Sequence, residues 1–180
     1  GGRHGDGRPE GICGSGLVEL LGELLRTGRM NSLGRLAGGD SRFVVDAPAN
    51  IFIEERDISR LAQAKGAHVA GLYIVLRAYG VDFDRVERFY LAGGFGRRLN
   101  IDAARRIGLI PNLPQERIAQ VGNASIEGAT IALLSVERRR QLEAFVKTIE
   151  HVELETDPEF FEHFVEGCRF VPVQTTSYLV

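Results

Sequence analysis

A glycine-rich turn placed directly after a short apolar run is the feature that most constrains this chain. The run Phe89-Tyr-Leu-Ala92 is followed at once by Gly93-Gly-Phe-Gly96. The apolar run predicts a buried strand, and Asn100, as an N-cap, predicts a helix soon after the turn. Gly93 and Gly94 carry no Cβ, so they can adopt positive φ and a flat ligand can lie against their backbone. A tight turn between a core strand and a helix, without any ligand, is the alternative interpretation.

Two further helices are predicted to begin at glycine-marked turns. The segment Gly11-Ile-Cys-Gly-Ser-Gly16 leads into a leucine-rich run, and we expect Ser15 to cap that helix and Gly28 to follow its end. A strand-like run ends at Gly122, and Asn123 is expected to cap the next helix. In an open α/β sheet such turns gather at the carboxyl ends of the strands, where ligands bind. Three of them in one chain favour a nucleotide or another phosphate-bearing ligand.

The longest predicted helix runs from about Asp57 to Tyr79 and ends at Gly80. Its apolar stripe includes Lys65, a residue that is rarely buried without a partner. A lysine on a burying face either extends its charged end into water or meets an anion. The residues alone leave both interpretations open.

The alternation of strand-like and helix-like segments predicts an α/β fold with a mixed, mostly parallel sheet flanked by helices. We expect residues 1–10 to form a mobile terminus, residues 11–170 one domain, and residues 171–180 an apolar tail. The other expected strands are Phe43–Asp46 with Ile51–Ile53 as a hairpin or edge pair, then Arg117–Val121 and His151–Glu155. Three later helices are also expected. The first follows Asn123 and has an apolar face made of Ile126, Ala129, Thr130, Leu133 and Leu134, and the second covers residues 136–149. The third starts at Thr156, and its expected buried side is Phe160, Phe161, Phe164, Val165 and Cys168.

Composition excludes several classes of function. The 180 residues carry 22 Lys and Arg against 24 Asp and Glu, so there is no electrostatic basis for binding nucleic acid or an acidic membrane surface. No run of about 18 apolar residues predicts a membrane span, and no secretory signal is present. With only two cysteines we expect a reduced, cytoplasmic protein. Because the chain starts at Gly1 and its single methionine is Met30, we also expect it to be part of a longer protein.

Common signatures of nucleotide and metal sites are missing from the sequence. There is no P-loop, and Gly94-Phe-Gly96 lacks the third glycine of a dinucleotide fingerprint. The cysteines and histidines show no ligand spacing, so no metal site built from the chain's own side chains is expected. Cys13 lies at a helix N-terminus, a position that lowers the pKa of a thiol. It is nevertheless expected to be a small packed residue, since no base is identifiable beside it.

Several motifs occur in order along the chain, and together they resemble one family. They are Gly11-Ile-Cys-Gly-Ser-Gly-Leu17, Gln63-Ala-Lys65, Tyr90-Leu-Ala-Gly-Gly-Phe-Gly96, Gly108-Leu-Ile-Pro111, Val121-Gly-Asn123 and Asp157-Pro-Glu-Phe160. As an ordered set they are similar to the carboxyl-terminal domain of the reductive activators of corrinoid proteins. Those proteins are ATPases of the acetate and sugar kinase, heat-shock chaperone and actin superfamily. The resemblance extends from about residue 11 to residue 170.

The resemblance implies a ribonuclease H-like, actin-like ATPase domain whose Gly-Gly turn approaches the ribose and phosphates of ATP. That role passes to Gly93 and Gly94, with Phe95 and Gly96 beside them. Lys65 corresponds to a lysine of the family's Gln-x-x-Lys-like helix segment, although the spacing here is Gln63-Ala-Lys65. The remaining predicted nucleotide contacts are Gly14, Ser15 and Asn123.

The resemblance also implies a parent protein that uses ATP, with Mg²⁺ carried by the nucleotide, to reduce an inactive Co(II) corrinoid protein to Co(I). Electrons would come from a 2Fe-2S cluster in an amino-terminal ferredoxin-like domain, whose cysteines are not in this chain. The family's Asp-Ile-Gly-Thr-Asn-like turn, which faces phosphate and magnesium, is not in this chain either. We therefore predict a nucleotide half-site, name no catalytic residue, and do not expect catalysis by this segment alone.

Two other functions and one assembly state are left open by the sequence. The first is a non-catalytic docking module for a corrinoid or redox protein, suggested by the apolar residues 170–180 and by a loop around Met30 that we expect to be exposed. The second is a small-molecule kinase of the same superfamily. A homodimer is also left open.

Overall fold

The computed structural model describes residues 9–175, and in that part of the chain helices dominate over short strands. The helices are α1 (Gly14–Arg26), α2 (Glu55–Ala78), α3 (Gly93–Arg98), α4 (Ile101–Arg106), α5 (Ala124–Leu134), α6 (Val136–Val146) and α7 (Phe160–Gly167). The strands are β1 (Arg42–Asp46), β2 (Ile51–Glu54), β3 (Phe89–Leu91) and β4 (Ile118–Gln120). The mixed α/β composition is confirmed.

The prediction of one mostly parallel sheet is wrong for the described residues. Two separate two-stranded sheets are present instead: β1 and β2 pair antiparallel, and β3 and β4 pair parallel. Strands β3 and β4 are only three residues long. No strand forms over 151–155; Leu154 there packs against Gly71 of α2, and an alternating pattern without a neighbouring strand has nothing to pair with.

Helix α1 follows its leucine pattern closely. It buries Val18, Leu21 and Leu24, and Gly28 has a φ of 68°, as expected of a residue that ends a helix. Ser15 does not cap the helix, because the helix already begins at Gly14 with Cys13 in the N-cap position.

The long helix α2 is confirmed, with its end marked by Gly80 at a φ of 62°. Its first turn is closed by a capping box, in which the side chains of Glu54 and Asp57 each accept a hydrogen bond from the backbone at the other residue. Helix α7 packs along α2. The two helices meet at Gly66 of α2 and Gly167 of α7.

Helix α7 begins at Phe160, later than the capping pattern at Thr156 suggested. The prediction of a buried side is wrong, because Phe160, Phe164 and Cys168 are only half-buried. Phe161 is 72% exposed and Val165 is 47% exposed. Phe170, by contrast, is 1% exposed, and Val173 forms a bridge with Pro111. Residues 171–175 therefore belong to the packed fold, while residues 1–8 and 176–180 lie outside the described part of the chain.

Helices α5 and α6 contact each other but bury none of their residues. The apolar face that the sequence predicted on α5 is present in the helix yet faces solvent: Ile126 is 63% exposed and Leu133 is 76% exposed. The periodicity was sufficient to predict the helix, but the surface that would cover it is not among residues 9–175.

Candidate functional site

The glycine turn is itself the first turn of a helix. Gly93 follows the N-cap Ala92 and starts α3, a six-residue helix, with a φ of 84° that favours glycine. Asn100 begins the next helix, α4, where its side-chain oxygen accepts a hydrogen bond from the N–H of Ala103 at 3.0 Å. The cap at Asn100 is confirmed, and the helix at Gly93 is an additional element that the sequence did not predict.

Two of the four residues in this turn leave open space beside the backbone. A Cβ built on Gly93 or Gly94 would meet no other atom within 4 Å, whereas one on Gly96 would lie 3.0 Å from the carbonyl carbon of Leu91. Gly96 is therefore required for packing against β3. Gly93 and Gly94 are free to face a ligand, because nothing within the described residues fills the space that their missing side chains leave.

The turn at Gly122 lies beside the turn at Gly93. The parallel pairing of β3 and β4 brings the ends of the two strands together, and the N–H of Gly93 donates to the carbonyl of Gly122 at 2.9 Å. Asn123 caps α5, as predicted, by accepting a hydrogen bond from the N–H of Ile126 at 3.1 Å. The turns at Gly93 and Gly122 thus form one continuous backbone surface.

The first glycine-marked turn also reaches this surface, through Phe95. A Cβ on Gly14 would come within 3.1 Å of the edge of the Phe95 ring, so the ring lies against the bare backbone at the start of α1. Phe95 itself is 50% exposed. The structure therefore brings Gly14, Phe95 and the Gly93–Gly94 backbone together, which the sequence could suggest only by analogy.

Cys13 and Ser15 form a small polar pair at the start of α1. The Cys13 Sγ and the Ser15 Oγ are 3.4 Å apart. Hydrogen bonding from Ser15, followed by the backbone N–H of Gly16, lowers the pKa of the Cys13 thiol to about 7. The predicted fall in pKa is confirmed, but the prediction of a packed cysteine is wrong, because Cys13 is exposed.

The contacts of Lys65 are with the last helix. Its side chain is 2% exposed, and its ammonium donates to the carbonyl of Gly167 and, at 2.8 Å, to the carbonyl of Arg169. The ammonium also lies 5.5 Å from the centre of the Phe170 ring. Neither interpretation from the sequence holds, since the lysine neither extends into water nor leaves its charge free for an anion. The structure does not bring Lys65 to the glycine turn through any of these contacts.

Gln120, the last residue of β4, is a contributor that the sequence did not reveal. Its amide Nε2 donates to the carbonyls of Gly96 at 2.7 Å and Leu99 at 2.9 Å. These are carbonyls at the end of α3, so Gln120 ties the short helix to the sheet. The only available signal was a polar residue at a strand end, which is too common to identify such a role.

The glycine turn lies on an open face of the molecule. Cavities of about 330 and 390 Å³ are lined by other segments, the first between α2 and α7 and the second beside β2. Among residues 9–175 no group of three or more His, Cys, Asp or Glu side chains could hold a metal ion. None of the helices described is long and apolar enough to cross a membrane.

Two features that suggested a docking module are only partly exposed: Arg29, Asn31 and Leu33 in the loop around Met30 are exposed, but Met30 itself is buried, and so is Phe170 at the start of the apolar tail. Met30 is 2% exposed and Phe170 is 1% exposed, because the N–H of Phe170 donates to the carbonyl of Ser32 at 2.8 Å and draws the two segments into one core. The described part of the apolar tail is a structural element of the fold.

Comparison with known proteins identifies the family. A family model described as the C-terminal domain of RACo, the ASKHA domain, matches residues 3–178. The chain belongs to this family. A solved structure titled reductive activator for corrinoid, iron-sulfur protein is similar to this RACo-type domain with a TM-score of 0.80 and 31% sequence identity, over 91% of the chain and 29% of the solved one.

Two curated proteins are also similar to this RACo-type domain. The corrinoid activation enzyme RamQ of Eubacterium limosum is 29% identical over 90% of the chain and 31% of its own length. The Co(II) methylated amine-specific corrinoid protein reductase of Methanosarcina barkeri is 26% identical over 83% of the chain and 27% of its own length. The chain therefore spans about a third of the length of these relatives.

Proposed function

We propose that this chain is the nucleotide-binding part of an ATP-dependent reductive activator, which returns an inactive Co(II) corrinoid protein to Co(I). The electrons would come from an iron–sulfur domain elsewhere in the parent protein. The observation that carries the proposal is the open Gly93–Gly94 backbone, flanked by Gly14 and Phe95 on one side and Gly122 on the other, in a chain of the RACo family.

The geometry of the turn fits a nucleotide. Backbone without side chains lets a flat or charged group approach closely, as phosphate-binding turns require. Phe95, half exposed and lying on Gly14, offers an apolar ring surface beside that backbone. In this proposal Gly93 and Gly94 approach the ribose and phosphates, Phe95 contributes an apolar wall, and Gly14, Ser15 and Asn123 border the site. We leave Lys65 outside it, because its ammonium is bound by two carbonyls.

In this proposal the Gly93–Gly94 backbone and its neighbours supply one side of a nucleotide site. Bound ATP would contribute the free energy of its hydrolysis to an unfavourable electron transfer, and this chain's residues would bind and orient the nucleotide. The open face of the turn is where the parent's other phosphate-facing residues would meet it.

Gly94→Asp in the full-length parent tests the site. A Cβ at Gly94 would meet no other atom within 4 Å, so we expect the substitution to leave the melting temperature unchanged while placing bulk and negative charge where the proposed nucleotide lies. We expect at least a tenfold loss of ATP·Mg²⁺ affinity by calorimetry, equivalent to about 1.4 kcal/mol. Leu33→Asp, which adds the same charge at a position 67% exposed on another surface, is the matched control.

If a folded Gly94→Asp parent binds ATP·Mg²⁺ with wild-type affinity, this turn is not part of the nucleotide site. A wild-type parent that binds no ATP would instead overturn the function itself. The coupled reaction is checked separately by following the Co(II) signal of a corrinoid protein with the parent, reductant and ATP. If the Co(II) signal disappears at the same rate when ATP is left out, the proposal is also contradicted.

A further inference from the structure

The short helix α3 depends on other segments for its position. Its N-cap, Ala92, has a methyl side chain that forms no hydrogen bond, and of its six residues only Gly96 is buried in the described part of the chain. Six residues are too few for a helix to be stable by itself, and the carbonyls of its last turn need partners from outside it. The orientation of α3, and with it that of Gly93 and Gly94, is therefore set by hydrogen bonds from neighbouring segments.

The end of β4 supplies hydrogen bonds to both ends of α3. At the start of the helix, the N–H of Gly93 donates to the carbonyl of Gly122 at 2.9 Å. At its end, the amide Nε2 of Gln120 donates to the carbonyls of Gly96 at 2.7 Å and Leu99 at 2.9 Å. Because Gln120 is the last residue of β4, it lies beside the end of β3, the strand that leads into the glycine turn.

The contact made by Gln120 requires an amide nitrogen. A glutamine amide carries two N–H donors, and the two carbonyls use both of them. An oxygen in the same place would face two other oxygens and could only accept. Gln120 is exposed, so its side chain contributes to the position of α3 rather than to the packing of the core.

We propose that Gln120 is a positioning residue for the nucleotide. Its amide holds α3 by the carbonyls of Gly96 and Leu99, and it thereby fixes the direction in which Gly93 and Gly94 present their backbone to ATP. This inference rests on the proposed function, and it assigns Gln120 no contact with the nucleotide. Without the amide, α3 takes several orientations, and the affinity falls in proportion to the fraction of molecules whose turn matches the ligand.

Two substitutions of Gln120 in the full-length parent test this role. Gln120→Met removes both donors without adding a charge, and Gln120→Glu keeps the shape of the side chain but places oxygen against the two carbonyls. We expect each to lower the affinity for ATP·Mg²⁺ by about three- to tenfold in calorimetry, which corresponds to the loss of one or two net hydrogen bonds. Gln63→Glu, which adds the same charge at an exposed position of α2, is the matched control and should bind as the wild type does.

The number of sites measured in the same titrations separates positioning from folding. A positioning role weakens the affinity and leaves the number of nucleotides bound per chain unchanged. A merely structural role would lower the number of sites that bind, with wild-type affinity at those that remain, and would overturn the proposal. Weak binding by Gln120→Glu alone, with wild-type affinity in Gln120→Met, would assign the effect to charge repulsion and would overturn it as well.

The pH dependence of binding gives a readout that is specific to the donor. A protonated glutamic acid is again a hydrogen-bond donor, and two facing carbonyls raise the pKa of its carboxyl group. We therefore expect Gln120→Glu to regain part of its affinity, relative to the wild type at the same pH, as the pH falls from about 8 to about 5.5. Gln120→Met has no group that titrates and should show no such recovery. Parallel pH profiles for the two variants would contradict the donor role.

Hydrogen exchange of the nucleotide-free parent follows α3 itself. Peptides that cover residues 93–99 should exchange faster in both Gln120 variants than in the wild type or Gln63→Glu, because a helix end without partners opens more often. Wild-type affinity in a folded Gln120→Met parent overturns the positioning role, whatever the exchange shows. A wild-type parent that binds no ATP overturns the proposed function together with this inference, so the two failures are distinguishable.

Discussion

Gly167 of α7 lies directly against Gly66 of α2: an ideal Cβ on Gly167 would come 3.0 Å from both the Cα and the carbonyl oxygen of Gly66. In the other direction, a Cβ on Gly66 would come 2.7 Å from the carbonyl oxygen of Phe164 and 2.6 Å from the Sγ of Cys168. The two helices pack backbone against backbone. This close approach also accompanies the hydrogen bond from the Lys65 ammonium to the Gly167 carbonyl.

Alanine at either of these glycines should push the helices apart. We expect Gly66→Ala and Gly167→Ala each to lower the free energy of unfolding of the chain by about 1–3 kcal/mol, because backbone atoms cannot yield to the added methyl group. Gly71→Ala in the same helix is the control: its Cβ would meet only the end of the Leu154 side chain, at 3.1 Å. Urea unfolding measures all three, and equal stability of the Gly66 and Gly71 variants would contradict the packing argument.

A second glycine contact, between α1 and α4, should respond in the same way. A Cβ on Gly22 would lie 2.9 Å from the Cβ and 3.2 Å from the Cα of Ala103. We expect Gly22→Ala to destabilise the chain by about 1–3 kcal/mol despite the better helix propensity of alanine. Gly16→Ala, in the same helix with ordinary contacts at 3.5 Å, should be neutral or stabilising by about 0.5–1 kcal/mol. A stabilising Gly22→Ala in urea unfolding would show that the two helices can separate without cost.

Replacing Lys65 by methionine should destabilise the chain through the acceptors it leaves behind. The carbonyls of Gly167 and Arg169 would lose a charged donor in a buried place, which costs about 1–3 kcal/mol. Thermal unfolding near pH 7 measures the loss. Lys65→Arg should restore little of the lost stability, since the fork of a guanidinium does not fit a site shaped for an ammonium. Full stability of Lys65→Met would contradict a structural role for the ammonium.

The difference in stability between the wild type and Lys65→Met should change with pH in a definite direction. Burial lowers the pKa of Lys65 from 10.5 to about 8. Between these two values the unfolded chain holds a proton that the folded chain has released, so stability rises with pH in this window. We expect the wild type to gain stability relative to Lys65→Met from about pH 8 towards pH 10, measured by urea unfolding of both proteins in the same buffers. A difference that falls over that range would mean that the charged form is favoured by folding.

Cys13 should react with alkylating agents at unusually low pH. Its pKa of about 7 depends first on the hydrogen bond with Ser15, so the thiolate forms near neutral pH. We expect the rate of iodoacetamide labelling, followed by peptide mass spectrometry, to reach half its maximum near pH 7, and to require a higher pH in Ser15→Ala. Cys168 is the internal control, because burial raises the pKa of its thiol. Equal pH profiles for the two cysteines would contradict the assignment.

The local patterns of this chain predicted most of its helices and the ends of several. Gly28 and Gly80 follow α1 and α2 with positive φ, and Asn100 and Asn123 cap α4 and α5. Such features depend on a few neighbouring residues, and glycine and asparagine have physical reasons to occupy them. For the same reason the strands β3 and β4 and the glycine turn between β3 and α3 could be placed from the sequence.

Features that depend on distant segments were not predictable in this way. The size of the sheet, the exposure of Phe161 and the open face of α5 each depend on which surface lies opposite, and no local pattern contains that information. Cys13 illustrates both limits: its low pKa follows from hydrogen bonds with Ser15 and Gly16, which are close in the sequence, but its exposure does not.

By itself the sequence determined where several of the helices begin or end, which turns lack side chains, and the ordered motifs that mark the RACo family. Only the tertiary structure decided that Gly93 and Gly94 face open space while Gly96 is packed, and that Phe95 covers Gly14. It also decided that Lys65 is held by the carbonyls of Gly167 and Arg169. The physical reason is range: a backbone conformation is set within a few residues, whereas the surroundings of a side chain are set by segments up to a hundred residues away.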